Sequence, residues 1–90
     1  MKSKVTPNFR KLLRALPKEV RKQARDSYQL FKSDPYNPSL QFKRVSQRKQ
    51  RYSVRIGLHY RALGLQVADD LIIWDWIGSH AEYDNLLKRR

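Results

Sequence analysis

Between Asp34 and Ser39 the chain reads Asp-Pro-Tyr-Asn-Pro-Ser, and its apolar residues keep different periods on the two sides of that segment. Pro35 and Pro38 exclude a helix there and favour extended or turn geometry. Upstream, Phe9, Leu12, Leu13 and Leu16, and then Val20, Ala24, Tyr28 and Phe31 with Leu30 beside them, recur at helical spacing. Downstream the period falls to two: Leu40 and Phe42 alternate with Gln41 and Lys43, and Tyr52, Val54 and Ile56 with Ser53 and Arg55. A helical half followed by a strand half restricts the chain to the α+β class.

Local signals set the boundaries. Thr6 before Pro7 is an N-cap with a first-turn proline, and Pro17 both ends one helix and starts the next, which predicts helices over 7–16 and 18–32. The basic residues Lys18, Arg21, Lys22 and Arg25 occupy the outer surface of the second helix. Strands follow from Leu40, from Tyr52 to Ile56, from His59 to Leu65 and from Leu71 to Gly78, separated by a polar turn at Ser46–Gln50, a bend at Gly57 and a turn at Ala68–Asp70. Such short connections make neighbouring strands antiparallel. The expected architecture is an N-terminal helical hairpin on one face of a four-stranded, mainly antiparallel sheet, with a short C-terminal helix, all in a single domain over residues 1–90. Leu40, Phe42, Tyr52, Val54 and Ile56 should face the helices, and Gln41, Lys43, Ser53 and Arg55 the other side.

The last strand, Leu-Ile-Ile-Trp-Asp-Trp-Ile-Gly, is apolar and β-branched enough to be buried. Ser79 with Glu82 three residues on is a capping box, so a helix starts there with His80 in its first turn and Tyr83 one turn further on the same face. Histidine side chains ordinarily titrate near ~6.5 and can give or take a proton at neutral pH. Alternatively His80 only packs or caps.

Twenty Lys and Arg stand against eight Asp and Glu, a net charge of +12. That imbalance speaks to partners rather than to fold, and nucleic acid is the leading class because phosphate neutralisation rewards many cations. With no cysteine there is neither a disulfide nor a thiolate site. His59 and His80 match no metal-ligand spacing, so no cofactor is expected. No run approaches the ~18 apolar residues of a membrane span, and Met1–Asn8 is short and polar rather than a signal sequence. The expectation is a cytoplasmic protein that does not engage membranes.

The order of these elements, with the phrases Asn37-Pro-Ser-Leu40, Tyr52-Ser-Val-Arg-Ile-Gly57, Tyr60-Arg-Ala-Leu63 and Ile77-Gly-Ser-His-Ala-Glu-Tyr-Asp84, resembles the RelE/ParE toxin superfamily from Phe9 to Leu87. It is especially similar to RelE-type toxins of type II toxin–antitoxin systems. The resemblance implies an mRNA interferase: a metal-independent endoribonuclease that cleaves ribosome-bound mRNA by attack of a 2′-hydroxyl on the adjacent phosphate. By position, Arg55 matches the family's phosphate-binding arginine, and His80 and Tyr83 its C-terminal acid–base and base-stacking region. Lys43, with Arg44 beside it, matches a basic first-strand position. Members usually open with a strand before the first helix, which only Lys4–Val5 could supply here. The implied partners are RNA, the ribosome and a cognate antitoxin.

Each residue also has a plainer role. Arg55 could form an ion pair with Asp75 or Glu82, Lys43 could be merely solvated, and Tyr83 could anchor the terminal helix. Arg61 is either a further RNA contact or an internal salt-bridge donor. The alternative functions are a non-catalytic ParE-like module that inhibits DNA gyrase, and a nucleic-acid-binding member of the same fold without nuclease activity.

Overall fold

Thr6 accepts a hydrogen bond from the Phe9 amide at 3.1 Å and, with Pro7 behind it, starts helix α1 (Pro7–Arg14). The computed structural model describes residues 1–46 and 48–88. Gln47, inside the expected Ser46–Gln50 turn, and Arg89 and Arg90 lie outside the described residues. Pro17 separates α1 from α2 (Lys18–Ser33), as the sequence predicts, and α2 buries Val20, Ala24 and Phe31. Both helices lie on one face of a single sheet, α1 over its last strand and α2 over its centre. A cleft of about 390 Å³ opens between them, floored by Val54, Ile56 and Trp74 and bordered by Arg10, Arg14, Arg21 and Arg25.

The sheet has five strands, not four: β1 (Lys2–Val5), β2 (Lys43–Arg44), β3 (Arg51–Ile56), β4 (Tyr60–Ala68) and β5 (Leu71–Ser79), in the order β1-β5-β4-β3-β2. The additional strand is β1, parallel to β5, with Ser3 opposite Ile72 and Val5 opposite Trp74. Distant groups hold it: Trp74 Nε1 donates to Ser3 Oγ at 2.7 Å and the Tyr28 hydroxyl to Ser3 O at 2.9 Å. At the other edge the expected strand from Leu40 is shortened. Pro38–Leu40 forms a 3-10 turn that buries Leu40, and Gln41 adopts the left-handed conformation (φ 47°), so pairing begins only at Lys43.

The core lies between helices and sheet. Phe31 sits edge-on to Phe42 and Trp74, with centroids 4.9 and 5.2 Å away, and Phe42 stacks on Tyr52 at 4.9 Å. Leu40, Val54 and Ile56 are buried, and Phe42 and Tyr52 join them from the rim, so this face is the one the alternation predicts. A register shift interrupts β4–β5: Leu63 pairs with Trp76, but Gly64 pairs with Trp74. Asp75 is the extra residue of this bulge, which reverses the alternation and sends Trp74 to the helix side and Trp76 to the other. The other face is not an open basic plane. Helix α3 (His80–Lys88) crosses it, and Ser53 is fully buried beneath. No helix among the described residues is long and apolar enough to cross a membrane.

Phe31 carries the aromatic cluster, so Phe31→Ala should cost about 3–5 kcal/mol in denaturant unfolding, the range for a buried aromatic. A loss under ~1 kcal/mol would show that helix and sheet do not meet through this ring.

Candidate phosphate-binding and proton-transfer site

Strands β3 and β4 pair in a register that sets Arg55 directly opposite Arg61, both on the α3 side of the sheet. Side chains so placed have Cβ atoms about 4.5–5.5 Å apart, and like charges there destabilise the pair. Neither guanidinium is paired with a carboxylate among the described residues. Each is instead held by one neutral contact. Arg55 Nε donates to Gly57 O at 2.8 Å, and Arg61 Nη1 donates to Gln41 Oε1 at 3.2 Å while its Cζ stands 5.9 Å from the centroid of Tyr83. Gly57 has φ +60°, the conformation glycine tolerates best, and this turns the β3–β4 loop so that its carbonyl faces back to Arg55. Two oriented forks with most of their N–H groups uncommitted match the geometry of a phosphate.

Arg61 lies opposite Gly78 in β5. A Cβ at Gly78 would come within 2.5 Å of the Trp76 ring and 3.1 Å of Glu82 Oε1, so glycine makes room for that ring. Two residues later the helix begins. Ser79 N donates to Glu82 Oε1 at 3.0 Å and Glu82 N to Ser79 Oγ at 3.2 Å, the reciprocal cap that the Ser-x-x-Glu spacing predicts. The backbone and then the side-chain hydrogen bond from Ser79 hold the Glu82 carboxyl below the usual glutamate range. His80 N donates to His59 O at 2.7 Å, so the β3–β4 loop also pins the helix start.

His80 Nε2 lies 3.3 Å from Asp84 Oδ2, one turn further along α3, and both side chains are about half exposed at 49% and 47%. With Nε2–H turned to this carboxylate, a neutral imidazole presents Nδ1 as an acceptor to solvent or substrate. Tyr83 stands with its centroid 6.0 Å from His80, but it is only 5% exposed and its hydroxyl meets Ser53 Oγ at 3.3 Å. Its ring is enclosed, a geometry that favours the anchoring role over base stacking.

The structure thus gathers His80, Arg55, Arg61 and the buried Tyr83 on one side of the sheet. Lys43 pairs with Ser53 and reaches that side from the exposed edge, whereas Arg44 pairs with Tyr52, points to the other side and donates from Nε to Ser46 O at 2.9 Å. Asp75 is not the partner of Arg55. Arg51 takes it, with Nη1 at 2.7 and 2.8 Å from its two oxygens. Sequence reasoning gave Asp84 and Gln41 no role. The i, i+4 spacing of Asp84 from His80 was the available signal, while Gln41 gave none because its backbone leaves the strand. Among the described residues no group of three His, Asp or Glu side chains is placed to hold a metal ion.

Comparison with known proteins bears on the family and the fold. The sequence profile of the ParE-like toxin domain matches residues 18–85. The chain therefore belongs to the ParE-like toxin family. Its fold is that of the RelE and YafQ toxins. In the RelB–RelE antitoxin–toxin complex from Methanococcus jannaschii, a chain 20% identical over 92% of this protein and 96% of its own length superimposes with a TM-score of 0.72. YafQ from Escherichia coli BL21(DE3) gives 0.71 at 13% identity over 91% and 96% of the two chains. The isolated E. coli RelE toxin gives 0.63 at 19% identity over 98% and 96%. No curated protein matches at the level of sequence.

The cap makes an acid-side prediction. A carboxyl whose pKa is lowered by folding stabilises the fold above its unfolded pKa, and that contribution disappears as pH falls through the lower, folded value. The Glu82 carboxyl should therefore titrate in NMR below a glutamate of the denatured chain. Ser79→Ala should move its midpoint part of the way back and destabilise the protein by about 1 kcal/mol. An unchanged midpoint would mean that the cap does not form.

Proposed function

We propose that this protein is the toxin of a toxin–antitoxin system and acts as a metal-independent endoribonuclease on mRNA, in the manner of RelE-type toxins and with ribosome-bound mRNA as the substrate. The observation that carries this reading is the Arg55–Arg61 couple, without a carboxylate partner among the described residues, on the side of the sheet where α3 carries His80. Two cations forced together without a carboxylate are relieved by an anion, and a scissile phosphodiester becomes more negative in the transition state.

In the reaction, His80 Nδ1 takes the proton of a 2′-hydroxyl while Asp84 steadies the opposite nitrogen. The 2′-oxygen attacks the adjacent phosphorus and the bond to the 5′-oxygen breaks. The products are a 2′,3′-cyclic phosphate and a 5′-hydroxyl, protonated by solvent or by the imidazolium just formed. Arg55 and Arg61 hold the non-bridging oxygens through their free N–H groups, Tyr83 fixes the helix that carries His80, and Lys43 engages a neighbouring phosphate from the sheet edge. Exposed cations elsewhere on the surface, among them those of α2, would contact ribosomal RNA, so binding falls steeply with added salt.

The cleft between α1 and α2 supports an antitoxin partner. An apolar floor bordered by four arginines suits an amphipathic segment with acidic flanks, and two of the similar folds were solved as toxin–antitoxin complexes. A second reading, compatible with the ParE-like match, is a module that inhibits a protein target such as DNA gyrase without chemistry.

Single-turnover cleavage of ribosome-bound mRNA separates the two. His80→Ala should lower the cleavage rate by ~10²-fold or more while ribosome binding persists. Arg55→Ala should slow cleavage too, with only a small further loss of affinity because many other cations remain. Equal cleavage by His80→Ala and wild type would remove histidine from the chemistry, and no cleavage by either would favour the binding module.

A further inference from the structure

A second concavity, of about 330 Å³, lies on the α3 side of the sheet. Its apolar wall is Trp76 with Leu63 and, from the last turn of α3, Leu86. Its polar end is the Arg51–Asp75 pair, whose side chains remain 27% and 30% exposed, beside Asn8. The bulge creates this composition. The extra residue Asp75 brings a carboxylate and the Trp76 ring to the same side, where regular alternation would have sent Trp76 into the core with Trp74.

We propose that this pocket is a nucleobase subsite, on the same face of the sheet as the phosphate site and selecting guanine in the RNA. The proposal rests on the ribonuclease reading only for its biological meaning; the binding it describes requires no cleavage. A base needs a flat apolar wall for its face and polar groups at its edge, and Trp76 with Arg51–Asp75 supplies both. Guanine suits the pair because its N–H groups are donors for a carboxylate, while O6 and N7 accept from a guanidinium. Adenine places an amino group where O6 would be, so it loses the contact to Arg51.

Position relative to the phosphate site supports the assignment. Trp76 pairs with Leu63, two residues along β4 from Arg61, or roughly 6.7 Å at strand rise. The Trp76 ring also leans across Gly78, the residue opposite Arg61. The arginines and the pocket thus share one face of the sheet, with Arg61 and the pocket residue Leu63 two residues apart along β4. The absence of a Cβ at Gly78 gives the Trp76 ring its place.

Titration of the full chain with guanosine, adenosine, cytidine and uridine 5′-monophosphates, followed by the two tryptophan indole N–H signals in NMR, tests this directly. Trp74 donates to Ser3 inside the core and serves as the internal reference. The Trp76 signal should move most with the guanine nucleotide and the Trp74 signal little. Asp75→Asn should weaken guanine-nucleotide binding about tenfold relative to the adenine nucleotide, leaving inorganic phosphate binding at Arg55 and Arg61 unchanged. Because Asp75 also anchors Arg51, Leu86→Glu is the companion variant: it alters a surface position, 37% exposed, and places a negative charge at the pocket mouth that should repel nucleotides without unfolding the chain. An unmoved Trp76 signal, equal response to all four nucleotides, or undiminished binding in Leu86→Glu would overturn the proposal. Guanine-nucleotide binding without mRNA cleavage would leave the subsite standing and reject the nuclease reading. Cleavage without base binding would do the reverse.

Discussion

A single aromatic ring holds the functional side of this protein together. Tyr83 is nearly enclosed between α3 and the sheet, with its hydroxyl on the fully buried Ser53 and Arg61 over its ring. Helix α3 has only nine residues, too few to be stable in water by itself, so this contact and the capping box decide where it lies. His80 in its first turn is therefore brought to the end of β5, next to the strand residues opposite Arg61. If the ring were lost, Ser53 would lose its cover and the histidine its fixed place beside the arginines.

The charge of +12 is spread over two surfaces of different character. On the α3 side, Arg55 and Arg61 are half-buried, oriented by neutral acceptors and set opposite each other by strand register, an arrangement that suits one concentrated anion. On the helix side, Arg10, Arg14, Arg21 and Arg25 surround an apolar cleft, which suits an extended partner that is both acidic and hydrophobic. The sheet separates the two. The same basic excess can thus serve a phosphate on one face and a protein on the other, with net charge alone unable to tell them apart.

Local features were legible in the sequence and non-local ones were not. Thr6–Pro7, Pro17 and the Ser79–Glu82 box depend on residues within one helical turn, and the helices begin where they predict. The alternation of Tyr52, Val54 and Ile56 identified the helix-facing side of β3 correctly. Strand β1 was visible only as the Lys4–Val5 that the resemblance could supply, because Lys-Ser-Lys-Val has one apolar residue. Its stability comes from Trp74 and Tyr28, far along the chain. The strand expected at Leu40 failed for a conformational reason, the left-handed turn at Gln41. The bulge at Asp75 has no marker in the sequence, so neither the separation of Trp74 from Trp76 nor the Arg51–Asp75 pair could be read. Of the site, Arg55 and His80 were visible as residue types in a suggestive place, but the opposition of Arg55 to Arg61 is a matter of strand register, which side-chain chemistry alone does not set.

That opposition is the centre of the account, and a double-mutant cycle measures it. Unfolding free energies of the wild type, Arg55→Gln, Arg61→Gln and the double variant at low salt give the coupling between the two guanidinium groups. The coupling should be repulsive, by about 0.2–1 kcal/mol, in the free protein, and should turn attractive when a 2′-deoxy oligonucleotide, which cannot be cleaved, is bound. Zero or attractive coupling in the free protein would contradict the claim that the fold sets two cations against each other, ready for a phosphate.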